Sequence, residues 1–408
     1  MHILLIHQAF AAIDEPGGTR HHEIAQYLTG RGHEVTIIAS PVSYLTGKSL
    51  HEHIPWAEKQ EIDPGITIVY AYTYPALHRS FVHRVFSFLS FMVSSFFIGL
   101  SIKDIDLVWG TSPPIFQSVT AWVFARLKRV PFLLEVRDLW PTFAIALGVL
   151  QQPILIRASE WLESFLYRHA DQVLVNSPGF IDHLLSRGAL HVELVPNGAN
   201  TSMFDPQAKG KDFRQTHGLA DRYIALYAGA HGLSNDLGVV LAAAEKLKDR
   251  DDILFVLLGD GKEKPALQAQ AREMALTNLK FIPPISKKEM PGALAAADAC
   301  IAILKPIPLF ATVYPNKVFD YMAAGRPVVL AMEGVVREVI ESADSGIAIP
   351  PGDPAALAET IVYLAGHHQE GKNMGSRGRK YIENYFDRPA QAAKFAQIIE
   401  KMVNLNKV

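Results

Sequence analysis

Residues 314–328, with the sequence YPNKVFDYMAAGRPV, bring a cation and a carboxylate to one short predicted helix. Asn316 and Lys317 follow the proline that starts this helix, and the backbone N–H groups of a first helical turn attract anions. Asp320 lies about one turn further on the same side, where its two oxygens can bind the cis hydroxyls of a ribose. The spacing therefore predicts residues that bind a diphosphate beside a residue that binds a ribose, and together these make a nucleotide-binding site. A solvated lysine–aspartate pair on a helix surface is the alternative interpretation.

A glycine pair lies in the loop that follows the first predicted strand. Gly17 and Gly18 let the backbone approach a ligand closely, and Arg20, just inside the next helix, can bind two phosphate oxygens at once. These three residues are therefore candidates for phosphate binding, although a glycine pair also serves as an ordinary turn.

A second loop of small residues, GAHGLSND, follows the predicted strand at 223–228. Gly229 and Gly232 could cradle a phosphate, and His231 could hydrogen-bond to a phosphate or a sugar. A surface histidine in a plain turn is the alternative.

Charged residues also follow the apolar strand that begins at Phe132, in the segment EVRDLWP. A carboxylate at Asp138 can accept a hydrogen bond or a proton from a substrate hydroxyl, and Arg137 adds a positive charge beside it. The alternative is that the two residues merely pair at the end of the strand.

The elements that must position these side chains are short apolar strands alternating with amphipathic helices. This alternation predicts parallel, doubly wound α/β sheets, in which ligands bind at the carboxyl ends of the strands. The pattern restarts after a turn-rich stretch at 197–212. We therefore expect two Rossmann-like domains facing a central cleft, at 1–200 and 201–388, with a C-terminal helix at 389–408 that returns to the first domain.

Composition excludes several classes of protein. The 408 residues contain 39 basic and 41 acidic side chains, which argues against a nucleic-acid partner, and the single Cys300 excludes a disulfide framework or a cysteine-based metal cluster. The chain begins with an apolar strand rather than a secretion signal, so we expect a cytoplasmic enzyme.

The segment 81–100 is the one stretch that resembles a membrane span. Its apolar residues follow helical spacing, and four serines predict a thin polar stripe on the opposite side: Ser87, Ser90, Ser94 and Ser101. Three interpretations stay open: a buried domain helix, an interfacial helix with nearby basic residues at lipid headgroups (His78, Arg79, Arg84 and Lys103), and a true span.

Several motifs together resemble the nucleotide-sugar glycosyltransferases of GT-B architecture, in the large retaining family of the family-four type. The resemblance runs nearly end to end, through PGGTR, RGHEV, EVRDLWP, VPNGAN, LLGDG, FIPPI, AAADACIAIL and NKVFDYMAAGRPVV. The PGGTR and EVRDLWP forms are most similar to the O-antigen and capsule subgroup related to fucosaminyl and fucosyl transferases.

The resemblance implies a role for each candidate residue. Asp320 would bind the donor ribose, Asn316 and Lys317 the pyrophosphate, and Ile282 in the FIPPI run would line the donor site. The catalytic residues would be Lys317, Arg137 and Asp138, the last orienting or deprotonating the acceptor hydroxyl. The donor would be a nucleotide sugar, most simply a UDP-sugar. The acceptor would be an oligosaccharide or a sugar on a polyprenyl diphosphate, and the reaction would need no metal or other cofactor.

Three departures from the family pattern accompany the resemblance. Thr312 stands where the family carries the first acid of its E-x7-E motif, and the GAHGLSND loop lacks the usual arginine and lysine. The Arg137–Asp138 pair replaces a histidine of the first domain. Two other functions therefore stay open: an epimerase or phosphorylase on the same fold, and a non-catalytic nucleotide-binding scaffold.

Overall fold

The structure is a computed structural model that describes residues 1–43, 47–49, 52–75, 80–219 and 221–406. Two sheets with helices packed around them form the framework of the chain. The α/β class and the two Rossmann-like sheets predicted from the sequence are confirmed.

The first sheet has eight strands: β1 His2–Ile6, β2 Glu34–Ala39, β3 Ala57–Asp63, β4 Ile66–Ala71, β5 Leu107–Ser112, β6 Phe132–Val136, β7 Gln172–Val175 and β8 Val192–Leu194. Their order is β3-β4-β2-β1-β5-β6-β7-β8, and only β3 runs antiparallel to its neighbour. The helices of this part are α1 Arg20–Gly30, α2 Phe81–Leu100, α3 Ile115–Lys128, α4 Thr142–Ala146, α5 Pro153–His169 and α6 Ile181–Ser186. Because helices cover the sheet, its central strands are almost wholly apolar and buried.

The second sheet has six parallel strands: β9 Tyr223–Ala228, β10 Ile253–Leu258, β11 Leu279–Ile282, β12 Ala299–Ile303, β13 Val328–Ala331 and β14 Gly346–Ala348. Their order is β11-β10-β9-β12-β13-β14. The remaining helices are α7 Lys211–Thr216, α8 Leu237–Lys246, α9 Lys264–Glu273, α10 Met290–Ala296, α11 Asn316–Ala323, α12 Val335–Ala343, α13 Pro354–Gly366, α14 His368–Tyr385 and α15 Arg388–Asn406.

Tertiary contacts divide the chain into two compact units. The first comprises Met1–Ala12, Gly17–Pro196 and Pro389–Val408, and the second comprises Ile13–Pro16 and Asn197–Arg388. In the first unit the last helix, α15, packs on the sheet, where the Phe395 ring lies 4.4 Å from that of Trp109 between centroids.

Helix α2 forms over the segment 81–100, as its apolar spacing predicts. Val82–Leu100 is long and apolar enough to cross a membrane by length and composition, and 33% of its most apolar window is buried. Of the basic residues considered at its start, His78 and Arg79 lie outside the described residues. The exposed side chains of α2 are themselves apolar: Val82, Phe86, Val93, Phe97 and Leu100.

Two serines of the predicted polar stripe, Ser87 and Ser94, lie on the buried side of α2. Ser87 and Ser94 are fully buried, and the Ser94 hydroxyl donates to the carbonyl of Tyr72 at 2.7 Å. A serine is small enough to let the helix approach its neighbours closely, and the Ser94 hydroxyl has a backbone acceptor there. Ser87 and Ser94 therefore face the domain, whereas Ser101 and part of the apolar surface are exposed.

Candidate functional site

The start of α11 is fixed by a residue from far along the chain. Pro315 precedes the helix, as predicted, and the side-chain amide of Asn197 donates to the carbonyl of Tyr314 at 2.7 Å. Asn316 then occupies the first helical position, and its Oδ1 atom is buried without a hydrogen-bond partner among the described residues. A buried acceptor without a partner is uncommon. The side-chain amide of Asn316 therefore lies beside the backbone N–H groups of the first turn of α11.

Lys317 lies against the carboxyl end of β9. Its Nζ atom is 2.6 Å from the hydroxyl of Tyr227, 3.9 Å from the centroid of the same ring, and 3.4 Å from Oδ1 of Asn235. Gly229 makes room for it, because a Cβ atom there would come within 2.9 Å of Nζ. The backbone φ of +151° at Gly229 also favours glycine.

Burial lowers the pKa of Lys317 from 10.5 to about 7. Near neutral pH the donor-free lysine is therefore divided between its charged and its neutral form. An anion close to Nζ would stabilise the charged form and raise this pKa.

The loops after β9 and β10 pack tightly because both carry glycine. A Cβ atom on Gly259 would overlap the carbonyl oxygen of Gly229, and one on Gly261 would lie 2.5 Å from that of His231. The N–H group of His231 donates to the carbonyl of Asp260 at 2.7 Å. The Asp260–Gly261 pair after β10 thus packs against the GAHGLSND loop.

The His231 side chain is fully buried between aromatic rings rather than on the surface. Burial lowers its pKa to about 4, and the positive charges of Lys264 and Lys317 act in the same direction. Neither ring nitrogen has a hydrogen-bond partner among the described residues. His231 is therefore neutral at physiological pH, and its contact with a phosphate or a sugar stays a prediction. Gly232 begins the next turn of the same loop.

Asp320 forms an ion pair with Lys287. Nζ of Lys287 lies 2.5 Å from Oδ2 of Asp320, and both side chains are mostly enclosed. Lys287 also lies 5.5 Å from the ring centroid of Phe204. A ribose at Asp320 would therefore meet a carboxylate that already has a cationic neighbour.

Two further positions that the sequence relates to a donor site lie in the second unit. Ile282 is buried at the end of β11, where its carbonyl accepts from the N–H group of Gly259 at 3.1 Å. Thr312 ends a short 3-10 turn, and its hydroxyl donates to the carbonyl of Leu309 at 2.7 Å. Thr312 supplies a hydroxyl where the family has an acid.

A mostly apolar pocket with a volume of about 240 Å³ lies at the carboxyl ends of β12 and β13. Its lining includes Leu304, Ile307, Phe310 and Met332. The N–H group of Lys305 donates to a carbonyl of the GAHGLSND loop, which joins the pocket wall to the β9 loop. A backbone hydrogen bond therefore links the wall of the pocket to the GAHGLSND loop, which lies beside Lys317.

In the first unit, Arg20 is buried, and its guanidinium donates hydrogen bonds to other residues of that unit. It donates to the carboxylate of Glu135 at 2.8 Å and to the carbonyls of Val195 and Pro196 at 2.7 and 2.8 Å. A binding role for Arg20 toward phosphate stays a prediction. Gly17 lies before it in a conformation with φ of +155°, and Gly18 has open space where a Cβ atom would be.

Glu135 is the residue that the sequence reasoning missed in this unit. Its buried carboxylate also accepts from Nε2 of His21 at 2.8 Å. Burial raises the pKa of Glu135, but Arg20 and His21 outweigh burial and hold it well below its usual range. The signal available in the sequence is one acid inside the apolar run FLLEV.

Arg137 and Asp138 follow β6 directly, as predicted. Arg137 does not serve only as a partner of Asp138, because its guanidinium donates to the hydroxyl of Thr111 and to the carbonyl of Pro113, each at 2.8 Å. Burial raises the pKa of Asp138 to about 6, while the charge of Arg137 opposes this shift. Asp138 is thus ionised at neutral pH and basic enough to accept a proton.

Comparison with known proteins identifies both halves of the chain. Residues 17–198 match the family described as glycosyl transferase 4-like domain, and residues 222–367 match glycosyl transferases group 1. Over 322 residues, 76% of this chain and 78% of the relative, the sequence is 26% identical to WcaI of Escherichia coli K12, a glycosyl transferase named for colanic acid biosynthesis.

Solved structures match the whole fold. Sucrose-phosphate synthase from Thermosynechococcus elongatus aligns with a TM-score of 0.77 and 18% identity, covering 99% of both chains. HepE from Anabaena, in complex with UDP and glucose, aligns with a TM-score of 0.73 and 17% identity, covering 98% of this chain and 100% of that one.

Proposed function

Because the chain belongs to the group 1 glycosyltransferases and has the GT-B fold, we propose that it transfers a sugar from a UDP-sugar to a saccharide acceptor with retention of configuration. The observation that carries the donor part is the position of Lys317, at the start of α11 and directly over Gly229. A buried cation beside the N–H groups of a helix start and two glycine loops suits a diphosphate. HepE, which has the same fold, is described in complex with UDP and glucose.

In the proposed reaction the bond between the anomeric carbon and the diphosphate breaks while the acceptor hydroxyl attacks from the same face. Negative charge grows on the leaving diphosphate, and Lys317 with the N–H groups of α11 stabilises it. Asp320 binds the ribose. Asp138 orients the acceptor hydroxyl and takes its proton, for which the raised pKa of about 6 is suitable. No metal takes part in this scheme, and chelators should leave the rate unchanged.

The acceptor that we propose is a saccharide carried by a polyprenyl diphosphate, in the synthesis of a cell-surface polysaccharide. The name of WcaI, which refers to colanic acid biosynthesis, supports a polysaccharide product. The exposed apolar side chains of α2 support a protein that works at a membrane surface.

The donor assignment is tested by calorimetry with UDP, UDP-sugars and other nucleotide sugars, followed by transfer assays. We expect binding of a UDP-sugar and acceptor-dependent release of UDP. Consumption of the UDP-sugar without an acceptor would indicate an epimerase or a phosphorylase instead. Binding without any turnover would indicate a scaffold.

The membrane assignment is tested by flotation with anionic liposomes at low salt. The protein should float, and replacing both Phe86 and Phe97 by serine should abolish flotation because these rings are 59% and 55% exposed on α2. Leu190→Ser is the matched control, since this leucine is 73% exposed away from α2. If the unaltered protein stays at the bottom of the gradient, α2 does not bind lipid.

A further inference from the structure

The reaction proposed above gives no role to Tyr227. It is fully buried one residue before the end of β9, and its hydroxyl donates to the carbonyl of Ala230 at 2.7 Å. The same oxygen accepts from Nζ of Lys317 at 2.6 Å. One hydroxyl therefore connects the backbone of the GAHGLSND loop to the lysine.

This connection gives Lys317 a defined resting place. The aromatic face of Tyr227 lies under the ammonium, Asn235 lies 3.4 Å to one side, and Gly229 leaves the space that a Cβ atom would fill. A lysine side chain otherwise samples many rotamers, and a ligand that fixes it must meet the entropic cost. Holding the side chain before the ligand arrives removes part of that cost.

The composition of the loop explains why such an arrangement is needed. Residues 229–236, GAHGLSND, contain no arginine and no lysine, and the burial of His231 keeps it neutral. The positive charge beside this loop must therefore come from another element. Lys317 on α11 brings it there, and Tyr227 is its hydrogen-bond acceptor on β9.

We propose that Tyr227 is a positioning residue, which holds Lys317 over Gly229 in the donor-free protein and so determines where the lysine meets the diphosphate. This inference rests on the proposed function only for the identity of the ligand. The contact between Tyr227 and Lys317 is itself present in the donor-free protein.

Several charged and titratable groups lie around Lys317. Burial raises the pKa of the Tyr227 hydroxyl well above its usual range and lowers that of His231 to about 4. Lys264 and Asp260 act on His231 from the β10 loop, and Asp320 on the same helix is paired with Lys287.

The first test needs no ligand. We would follow the Cε resonance of Lys317 by NMR during a pH titration of the donor-free protein, comparing Tyr227→Phe with Tyr223→Phe. Tyr223 is the matched control, because it is a buried tyrosine on the same face of β9 whose ring contacts His368 rather than Lys317. Release of the lysine to solvent should move its midpoint upward, toward the ordinary value of about 10.4. A midpoint that is unchanged or lower in Tyr227→Phe overturns the proposal.

The second test uses a UDP-hexose and calorimetry. At pH 6 the lysine is charged in every variant, so Tyr227→Phe should weaken binding about fivefold, the equivalent of one lost hydrogen bond. Above pH 7 the affinity of this variant should fall less steeply than that of the unaltered protein. In a Lys317→Met background, Tyr227→Phe should add nothing, and an equal effect in both backgrounds would mean a purely structural role.

The two tests separate the two ideas. If no nucleotide sugar binds but the Lys317 midpoint rises in Tyr227→Phe, the proposed function fails and the positioning role stands. If the donor binds but the midpoint does not respond, only the positioning role fails.

Discussion

The affinity for the donor should depend on pH through Lys317. In the donor-free protein burial lowers the pKa of this lysine to about 7, so its charge is lost progressively as the pH rises through 7. A bound diphosphate favours the charged amine and raises its pKa. Donor binding above pH 7 must therefore draw a proton from solution, and the affinity must fall as the pH rises.

The size of this loss of affinity follows from the lowered pKa of Lys317. At pH 9, two units above the resting value, only about 1% of the lysine carries its proton. If the bound diphosphate raises the pKa well above 9, the dissociation constant at pH 9 should be about 100-fold larger than at pH 6, or about 2.7 kcal/mol. At pH 6 the lysine is already charged, and the affinity should be at its maximum.

The assay is calorimetry with a UDP-hexose, whose diphosphate has no group that titrates in this range. Repeating it in two buffers of different ionisation enthalpy counts the protons, and we expect about one proton taken up at pH 9 and almost none at pH 6. Lys317→Arg is the control, because a guanidinium remains charged throughout and should remove the pH dependence.

One pattern of results would refute this reasoning. If Lys317→Met weakens binding but the affinity of the unaltered protein stays constant between pH 6 and 9, the lysine binds the donor without losing its proton at rest. The inferred effect of burial would then be wrong.

Three other outcomes follow from the same contacts. Asp320→Ala should weaken UDP binding about tenfold, as expected for hydrogen bonds to a charged group, and unchanged affinity by calorimetry would exclude the ribose role. Asp138→Asn should lower kcat while leaving the KM for the donor similar, and it should remove a loss of activity below about pH 6 that we expect from protonation of the carboxyl. Glu135→Gln should lower the free energy of unfolding by about 3 kcal/mol in urea denaturation, because it leaves Arg20 buried without its carboxylate, whereas the exposed Glu34→Gln should change it little.

Most of the strands could be predicted, because a buried parallel strand is a short apolar run with turn residues at its ends. The strand predicted at 223–228 forms over those residues, and the strand predicted to begin at Phe132 does begin there. The strand Ala57–Asp63 gives no such signal, since its sequence AEKQEID is polar and mostly exposed. It occupies an edge of the sheet, where one side has no neighbour and charged residues are tolerated.

The candidate site was predicted less completely than the fold. The glycine loops and the start of α11 appear in the sequence because backbone geometry constrains residue type locally. The partners of the charged residues do not appear there. Asp320 is paired with Lys287, and Lys317 with Tyr227, across 33 and 90 positions of sequence.

The sequence by itself determined the alternation of strands and helices, the helix at 81–100 and the loops where chemistry can occur. Tertiary structure alone decided which face of that helix is buried, and it placed Ser87 and Ser94 inside. It also decided that Arg20 is held by Glu135 and that Lys317 rests on Tyr227. The physical reason is that local patterns follow from hydrophobic periodicity and backbone conformation, whereas the burial and the partner of a charge depend on residues brought together only by folding.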